Sequence, residues 1–290
     1  MEYLVPEGIS HPFKLNNTGS NCYFNSTLQL LSSCTSFIDT IIRWKSYVTK
    51  TKLGQLMFEF AISVKTNKVD PMISANILHE LRMELKKRKP HIEFGDSQDS
   101  AGQAIVYLLD MLEVPGSDFK ISPLTYLFQH KIKKTIYCRE CKEITNEFSD
   151  VGIMFNDFDP DNPLILFNNF TSKYQPDNYK CDKCKKTDVS HVIESLIVVP
   201  EIIIIRYNIY DHENRKQNTP KKSFTVPGFE GDFTYKLLGY IEHSGTLNGG
   251  HYWATCLRND GVYFLNDNSF NMSELTGSPN IYLAIYHVTR

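Results

Sequence analysis

Cys22 stands at the point where a polar, glycine-containing turn meets a helical pattern of apolar residues. Phe24, Leu28 and Leu31 recur at helical spacing and would form the buried face of that helix. Backbone N–H groups in the first turn of a helix lack intrahelical acceptors, and together with the helix dipole they favour a thiolate, the nucleophilic form of cysteine. A cysteine that only packs in the core is the alternative. Catalysis would therefore require a histidine partner from elsewhere in the chain.

His251 is the candidate partner for that thiol. Gly249 and Gly250 precede it and allow the backbone to approach closely on one side of the imidazole. A catalytic imidazole also needs a group that accepts from its other ring nitrogen and fixes the tautomer. Asn266 and Asp267 end the next predicted strand, so either could lie beside His251 in a hairpin. An ordinary strand histidine is the alternative, because the chain contains nine histidines.

Two CxxC pairs, Cys138/Cys141 and Cys181/Cys184, are typical of a structural zinc site. Each pair can present two thiolates to one ion, and four thiolates complete its tetrahedral coordination. No position is then open for a substrate, so the pattern predicts one structural zinc and no catalytic cofactor. The long separation of the two pairs favours an extended pair of hairpins over a compact ribbon. Cysteines that bind no metal are the alternative.

Composition describes an ordinary globular protein. The 290 residues are 41% hydrophobic and 22% charged, and the net charge of −2 gives no electrostatic reason to expect a nucleic-acid partner. No segment is apolar for long enough to span a bilayer, and no secretory signal is visible, so we expect no membrane association. Seven cysteines, four of them in CxxC pairs, favour a reducing compartment, the cytoplasm or the nucleus.

The elements that would position these residues change in kind along the chain. Apolar stripes at helical spacing predict helices around residues 53–61, 74–89 and 104–112, with Ser97 or Asp99 capping the third. Strand-like segments follow at residues 131–137, 193–210, 235–241, 251–257, 262–265 and 281–287. The sequence therefore predicts an α+β protein with a helical N-terminal half packed on a largely antiparallel sheet, and an active site between the two.

Taken together, these segments resemble the ubiquitin-specific protease family of papain-like cysteine proteases, in the family's order and from about residue 12 to residue 287. The matching residues are those of the cysteine box (Asn17, Gly19, Cys22-Tyr23-Phe24-Asn25-Ser26, Leu28-Gln29), the two CxxC pairs, a strand segment (Val199-Pro200-Glu201-Ile202, Arg206-Tyr207) and the histidine box (His243-Ser244-Gly245, Gly250-His251-Tyr252, Leu265-Asn266-Asp267).

The resemblance implies a role for each candidate residue. Cys22 would be the nucleophile and His251 its general base and acid. Asn266 would be the third member that orients the imidazole, with Asp267 directly after it as the competing candidate. Asn17 matches the side chain that, with the backbone N–H of Cys22, stabilises the oxyanion.

The resemblance also implies the architecture, the cofactor and the partner. The fold would be papain-like and form a single catalytic domain over residues 12–290. That domain would comprise a helical thumb (about 12–125), zinc-ribbon-like β fingers (about 126–200) and an antiparallel β palm (about 200–290). The zinc would lie in the fingers, the partner would be ubiquitin or ubiquitinated proteins, and the enzyme would be a monomer.

The implied activity is thiol-dependent hydrolysis of the peptide or isopeptide bond after the C-terminal glycine of ubiquitin. Gly249, Gly250 and the loop of residues 95–99 would line the channel for the extended C-terminal tail. In this chain Ser100 and Gln103 occupy positions where the family has acidic residues that contact the basic tail of ubiquitin. One alternative is therefore a protease for another ubiquitin-like modifier, and a separate alternative is a catalytically silent ubiquitin-binding module.

Overall fold

The computed structural model describes residues 11–94, 99–115, 117, 122–148, 152–158, 173–174, 178–207, 209, 219–228, 231–246 and 249–289. Within them helices come first and strands follow, which confirms the predicted α+β class. The helices are α1 (Cys22–Leu31), α2 (Thr35–Arg43), α3 (Lys45–Val48), α4 (Lys52–Lys65), α5 (Ile73–Arg88), α6 (Ala101–Met111) and α7 (Pro123–Tyr126). The strands are β1 (Lys131–Cys138), β2 (Ile144–Phe148), β3 (Phe155–Phe158), β4 (Lys173–Tyr174), β5 (Ser190–Val198), β6 (Ile202–Tyr207), β7 (Ser223–Gly228), β8 (Gly231–Thr246), β9 (Gly249–Arg258), β10 (Gly261–Asn266), β11 (Ser269–Ser273) and β12 (Ile281–Thr289).

Helix α1 is the central helix of the fold. All ten of its residues are buried, because α5, α6, β8, β9 and β10 all pack against it. A helix enclosed in this way is buried around its whole circumference and not along one stripe only. The predicted start of this helix at Cys22 is confirmed.

The three apolar stripes predicted from the sequence lie in α4, α5 and α6, and the predicted helices are confirmed. The predicted cap of α6 was wrong, because the N-cap is Ser100, whose Oγ accepts from the backbone N–H of Gln103 at 3.1 Å. Asp99 lies one residue earlier and its carboxylate accepts from the N–H of Ser100 (3.2 Å). Ser97, the other predicted cap, lies outside the described residues.

Two sheets make up the second half of the chain. The larger sheet has the order β11-β10-β9-β8-β12-β6-β3, and β7 pairs with β8. Its described pairs are antiparallel apart from β3 and β6, which run parallel. The smaller sheet, here called the finger sheet, has the antiparallel order β2-β1-β5-β4. No helix in the described part of the chain has the length and apolar character needed to cross a membrane.

Arg258 joins α1 to the larger sheet. It is the last residue of β9 and is completely buried. Its guanidinium donates to the backbone carbonyl (2.9 Å) and Oε1 (2.7 Å) of Gln29, and to the hydroxyls of Ser32 (3.2 Å) and Ser33 (2.8 Å). Burial lowers the pKa of Arg258 from its usual value, since the cation is removed from water. The acceptors at the C-terminal end of α1 therefore replace the water that the guanidinium has lost.

We expect Arg258→Ala to destabilise the protein by about 3–5 kcal/mol, because it leaves a cavity and several buried acceptors without a donor. Urea denaturation measures this loss. Arg43→Ala, at an exposed position on α2, is the matched control and should change the free energy of unfolding by at most about 0.5 kcal/mol. Equal stability of the two variants would contradict the conclusion that Arg258 holds α1 against the larger sheet.

Candidate active site and cysteine cluster

Cys22 is the first residue of α1 and is 3% exposed. Asn21 precedes it at the N-cap, but its side chain makes no capping hydrogen bond to the helix. Instead, the Asn21 side chain accepts from the backbone N–H of Thr18 (2.8 Å) and donates to the carbonyl of Asn16 (3.2 Å). The side chain that could have capped α1 therefore folds the preceding loop, while the backbone carbonyl of Asn21 accepts from the N–H groups of Phe24 (3.0 Å) and Asn25 (2.9 Å).

His251 lies near the start of β9, a strand that packs against α1. Its Nε2 lies 2.7 Å from Oδ1 of Asn266, the last residue of β10. With an amide oxygen as acceptor, Nε2 carries the proton and Nδ1 is left for exchange with another group. This arrangement suits an imidazole that removes a proton from a thiol and later returns one to a leaving group.

Asp267 contacts the other side of the site. Its carboxylate accepts from Nδ2 of Asn17 (2.9 Å) and from Nδ2 of Asn25 (2.6 Å), and its carbonyl accepts from the backbone N–H of Leu15 (3.0 Å). Its backbone has a φ of +48°, in the left-handed region, so the chain turns sharply at this residue. Of the two candidates for contact with His251, the structure gives that contact to Asn266 and sets Asp267 against the loop that leads to Cys22.

Asn25 is a functional candidate that the sequence analysis missed, although it lies in the matched cysteine box. It is buried one turn after Cys22, and its Oδ1 accepts from the hydroxyl of Ser74 on α5. With its amide bonded to Asp267, it connects the first turn of α1 to α5 and to the turn after β10. The signal for it was a polar residue on a helix that is otherwise mostly apolar, a pattern typical of a buried hydrogen-bond network.

The predicted tail channel is described in part. Residues 95–98 lie outside the described residues, so the loop of residues 95–99 expected to line the channel is described only at Asp99. At Gly250, a side chain would collide with the imidazole of His243 and the carbonyl of Ser244. This close approach of strands β8 and β9 explains the glycine at position 250 physically.

The four cysteines of the CxxC pairs form one cluster, and their sulfur atoms all lie within 4.8 Å of one another. The Sγ atoms of Cys138 and Cys184 are 3.7 Å apart, and those of Cys141 and Cys181 are 3.6 Å apart. A tetrahedral zinc ion bound by thiolates separates its ligand sulfurs by about 3.8 Å, so the cluster has the dimensions of such a site. Backbone N–H donation from Cys141, supported by that of Glu140, lowers the pKa of Cys138 to about 6.

The two halves of the cluster repeat one turn geometry. In each half the residue after the second cysteine, Lys142 or Lys185, has a left-handed backbone with φ near +60°. Its N–H donates to the carbonyl of the first cysteine, Cys138 (3.0 Å) or Cys181 (2.9 Å). All seven cysteines of the chain are thiols and none is in a disulfide. The repeated turn therefore aims each pair of thiols at a common point without a covalent link.

Comparison with known proteins gives the family. The profile described as "Ubiquitin carboxyl-terminal hydrolase" matches residues 13–286, and the chain belongs to this family. The family assignment confirms the resemblance drawn from the cysteine and histidine boxes.

Individual relatives are distant. The chain is 25% identical over 216 residues to the probable ubiquitin carboxyl-terminal hydrolase 8 of Schizosaccharomyces pombe, covering 67% of this chain and 46% of that protein. It is 22% identical over 286 residues to ubiquitin carboxyl-terminal hydrolase 36 of Drosophila pseudoobscura pseudoobscura, covering 88% of this chain and 27% of that protein. The chain thus spans between about a quarter and a half of the length of these curated relatives.

Among solved structures, the SAGA Ubp8/Sgf11/Sus1/Sgf73 DUB module bound to ubiquitin aldehyde contains a chain with the same fold. The TM-score is 0.74 at 18% sequence identity, and the match covers 100% of this chain and 72% of that one. The predicted fold class, helices packed on an antiparallel sheet with a cysteine cluster, is thereby confirmed.

The contacts at the end of β10 predict that substitutions at two adjacent residues affect the reactivity of Cys22 differently. We expect Asn266→Ala to slow alkylation of Cys22 by iodoacetamide at neutral pH by about tenfold or more, because His251 loses the partner that orients it. Asp267→Asn should leave that rate within about twofold, since Asp267 contacts Asn17 and not His251. Peptide mass spectrometry measures alkylation at Cys22 specifically. The reverse pattern would show that Asp267 orients the imidazole.

Proposed function

We propose that the protein is a thiol-dependent deubiquitinase that hydrolyses the peptide or isopeptide bond after the C-terminal glycine of ubiquitin. The observation that carries this proposal is the hydrogen bond between His251 and Asn266. His251 lies on β9, and this strand packs against α1, the helix that begins at Cys22. Membership of the ubiquitin carboxyl-terminal hydrolase family and the fold shared with a ubiquitin-aldehyde-bound relative support it.

In the proposed reaction, Cys22 attacks the carbonyl carbon of the terminal glycine and His251 accepts the thiol proton. The C–N bond then breaks, His251 gives the proton to the departing amine, and a thioester forms on Cys22. Water, deprotonated by His251, attacks the thioester and releases the carboxylate and the thiol. Asn266 would keep the imidazole in the tautomer that both steps require.

Asn17 is proposed to stabilise the oxyanion together with the backbone N–H of Cys22. An asparagine amide has two N–H donors, and one of them already donates to Asp267 at 2.9 Å. The second is left to point at the developing negative charge, held in direction by the first. Asp267 would thus act on catalysis by orienting Asn17.

The body of ubiquitin is proposed to rest on an exposed apolar face of the finger sheet. Ile144, Phe148, Ile193 and Ile197 are 58%, 57%, 41% and 44% exposed. The strand register opposes Ile144 to Tyr137, Phe148 to Lys133 and Ile193 to Thr135, which are alternate residues of β1, so these three side chains share one face of the sheet. Ile197 lies beside the register shift at the start of β1. Apolar patches of this kind mark protein-binding surfaces, and ubiquitin is the partner that the family and the fold suggest.

The finer layout is also a proposal. Residues 12–290 would form one catalytic domain acting as a monomer, with a helical thumb (about 12–125), fingers (about 126–200) and a palm (about 200–290). A reducing compartment, the cytoplasm or the nucleus, suits a chain whose seven cysteines are thiols. No role for nucleic acid or a membrane is proposed.

One structural zinc ion is proposed to bind Cys138, Cys141, Cys181 and Cys184. The sulfur distances and the repeated turns suit this ion, which when bound would link the turn between β1 and β2 to the segment before β5. Four thiolates leave no coordination position for substrate, so zinc would stabilise the fingers and take no part in the reaction.

A ubiquitin probe with a C-terminal electrophile tests the activity. We expect it to label Cys22 in the wild-type protein and to leave Cys22→Ala unlabelled. Probes built on other ubiquitin-like modifiers, used in parallel, test the alternative raised by Ser100 and Gln103. Binding of ubiquitin without labelling or turnover would identify a silent binding module and refute the proposed activity.

Elemental analysis tests the metal. Protein purified without chelator should hold about one zinc per chain, and Cys141→Ser should lower that content sharply because three thiolates bind zinc less tightly than four. Cys22→Ala is the matched control: it should keep its zinc while losing the reactive thiol. Wild-type protein without zinc would overturn the proposed site.

A further inference from the structure

Trp253 lies beside His251 and is held there by Glu242. The ring centroids of Trp253 and His251 are 6.0 Å apart, with 34° between the ring planes. Nε1 of the indole donates to Oε2 of Glu242 at 2.7 Å. In the β8–β9 hairpin Glu242 pairs with Trp253 and Ser244 pairs with His251. Because alternate residues of a strand share a face, these four side chains occupy one side of the sheet.

The neighbouring strand β10 completes the surroundings of the indole. Its pairing with β9 ends at Leu265 and Ala254, so Asn266 and Trp253 are the next residues on the two strands. The ring of Phe264 packs on Trp253 at a centroid distance of 6.3 Å. Trp253 therefore adjoins His251, whose Nε2 lies 2.7 Å from Oδ1 of Asn266.

Glu242 is a buried carboxylate, 8% exposed. It forms no ion pair with any described residue. A carboxylate removed from water is costly unless hydrogen bonds replace its hydration, and the indole N–H of Trp253 supplies one. The same hydrogen bond fixes the orientation of the indole, since Glu242 lies on a strand in the interior of the sheet. The carboxylate is thus an anchor for Trp253.

We propose that Trp253, anchored by Glu242, is a positioning residue for His251. Its indole packs against the imidazole, holds the rotamer that bonds Asn266, and excludes water from that hydrogen bond. Water competes for both partners of an exposed hydrogen bond, so a covering aromatic ring strengthens it. This inference deepens the proposed thiol-protease function and rests on it.

The ionisable groups around Cys22 and His251 come from several elements. They include Cys22 and Tyr23 on α1, His243 and Glu242 on β8, and Asp267 in the turn after β10. Arg82 on α5 and Asp99 before α6 interact with Tyr23. Asp267 bonds Asn17 and Asn25, and Glu242 bonds Trp253. An effect of Trp253 on the reactivity of Cys22 would therefore pass through the orientation of His251.

Four variants and one control test the inference. Trp253→Ala removes the ring, and Trp253→Phe keeps a ring but loses the N–H. Glu242→Ala removes the acceptor of the indole N–H, and Glu242→Gln keeps an acceptor oxygen. Trp44→Ala, which alters the other tryptophan of the chain, is the matched control. The rate of iodoacetamide alkylation at Cys22 is measured against pH, and kcat and KM are measured on a fluorogenic ubiquitin substrate. Near-UV circular dichroism checks that each variant is folded.

For Trp253→Ala and Glu242→Ala we expect kcat to fall by about tenfold or more while KM stays within about threefold, because the substrate-binding surfaces are untouched. Their alkylation rate should increase with pH as that of an ordinary thiol does, with a midpoint near a pKa of about 8.5, because His251 no longer supports the thiolate. Trp253→Phe should fall between these variants and wild type, and Trp44→Ala should behave as wild type. Glu242→Gln should stay within about threefold of wild type, since its amide oxygen still accepts from the indole.

Unchanged alkylation and kcat in folded Trp253→Ala would overturn the inference, and so would a loss in Glu242→Gln as large as that in Glu242→Ala. The alkylation series needs no ubiquitin. If wild-type protein cleaves no ubiquitin substrate, the proposed function fails, while the pH dependence of alkylation still decides whether Trp253 positions His251.

Discussion

The candidate active site depends on the sharp turn at the end of β10. Two adjacent residues there contact the histidine side and the cysteine side of the site. Asn266 bonds His251, and Asp267 bonds Asn17 in the loop before Cys22. Adjacent side chains of a strand point in opposite directions, and the left-handed backbone of Asp267 turns its carboxylate toward that loop. One turn thus fixes the direction of the proposed base and of the proposed oxyanion donor, so a shift of this turn would disturb both.

This turn is useful only if helix α1 and strand β9 keep a constant relation, and buried contacts far from the thiol maintain it. Arg258, at the end of the strand that carries His251, donates to Gln29, Ser32 and Ser33 at the end of the helix that begins with Cys22. Asn25 secures the other end of the helix through Asp267. The helix is therefore held against the sheet near both of its ends, and the histidine strand cannot slide without breaking buried hydrogen bonds.

Local patterns predicted much of this architecture. The helix start at Cys22, the apolar stripes of α4 to α6 and the paired cysteines follow from residue spacing, which depends only on neighbours in the chain. The backbone angle φ of Asp267 decides which of Asn266 and Asp267 contacts His251, and the spacing of residues in the sequence does not determine that angle. The partners of Arg258 at the end of α1, Gln29, Ser32 and Ser33, are more than two hundred residues away in the chain, so no local pattern could reveal them. The catalytic roles and the domain boundaries stay predictions.

The central claim is that Asn266 and Asp267 serve opposite sides of one site. A crystal structure of Cys22 joined to a ubiquitin C-terminal aldehyde tests it most directly, because the hemithioacetal oxygen marks the oxyanion position. We expect that oxygen within hydrogen-bond distance of Nδ2 of Asn17, with Asp267 still bonded to Asn17 and Asn266 to Nε2 of His251. A structure in which Asp267 bonds His251 while Asn17 points away from the oxygen would contradict the account.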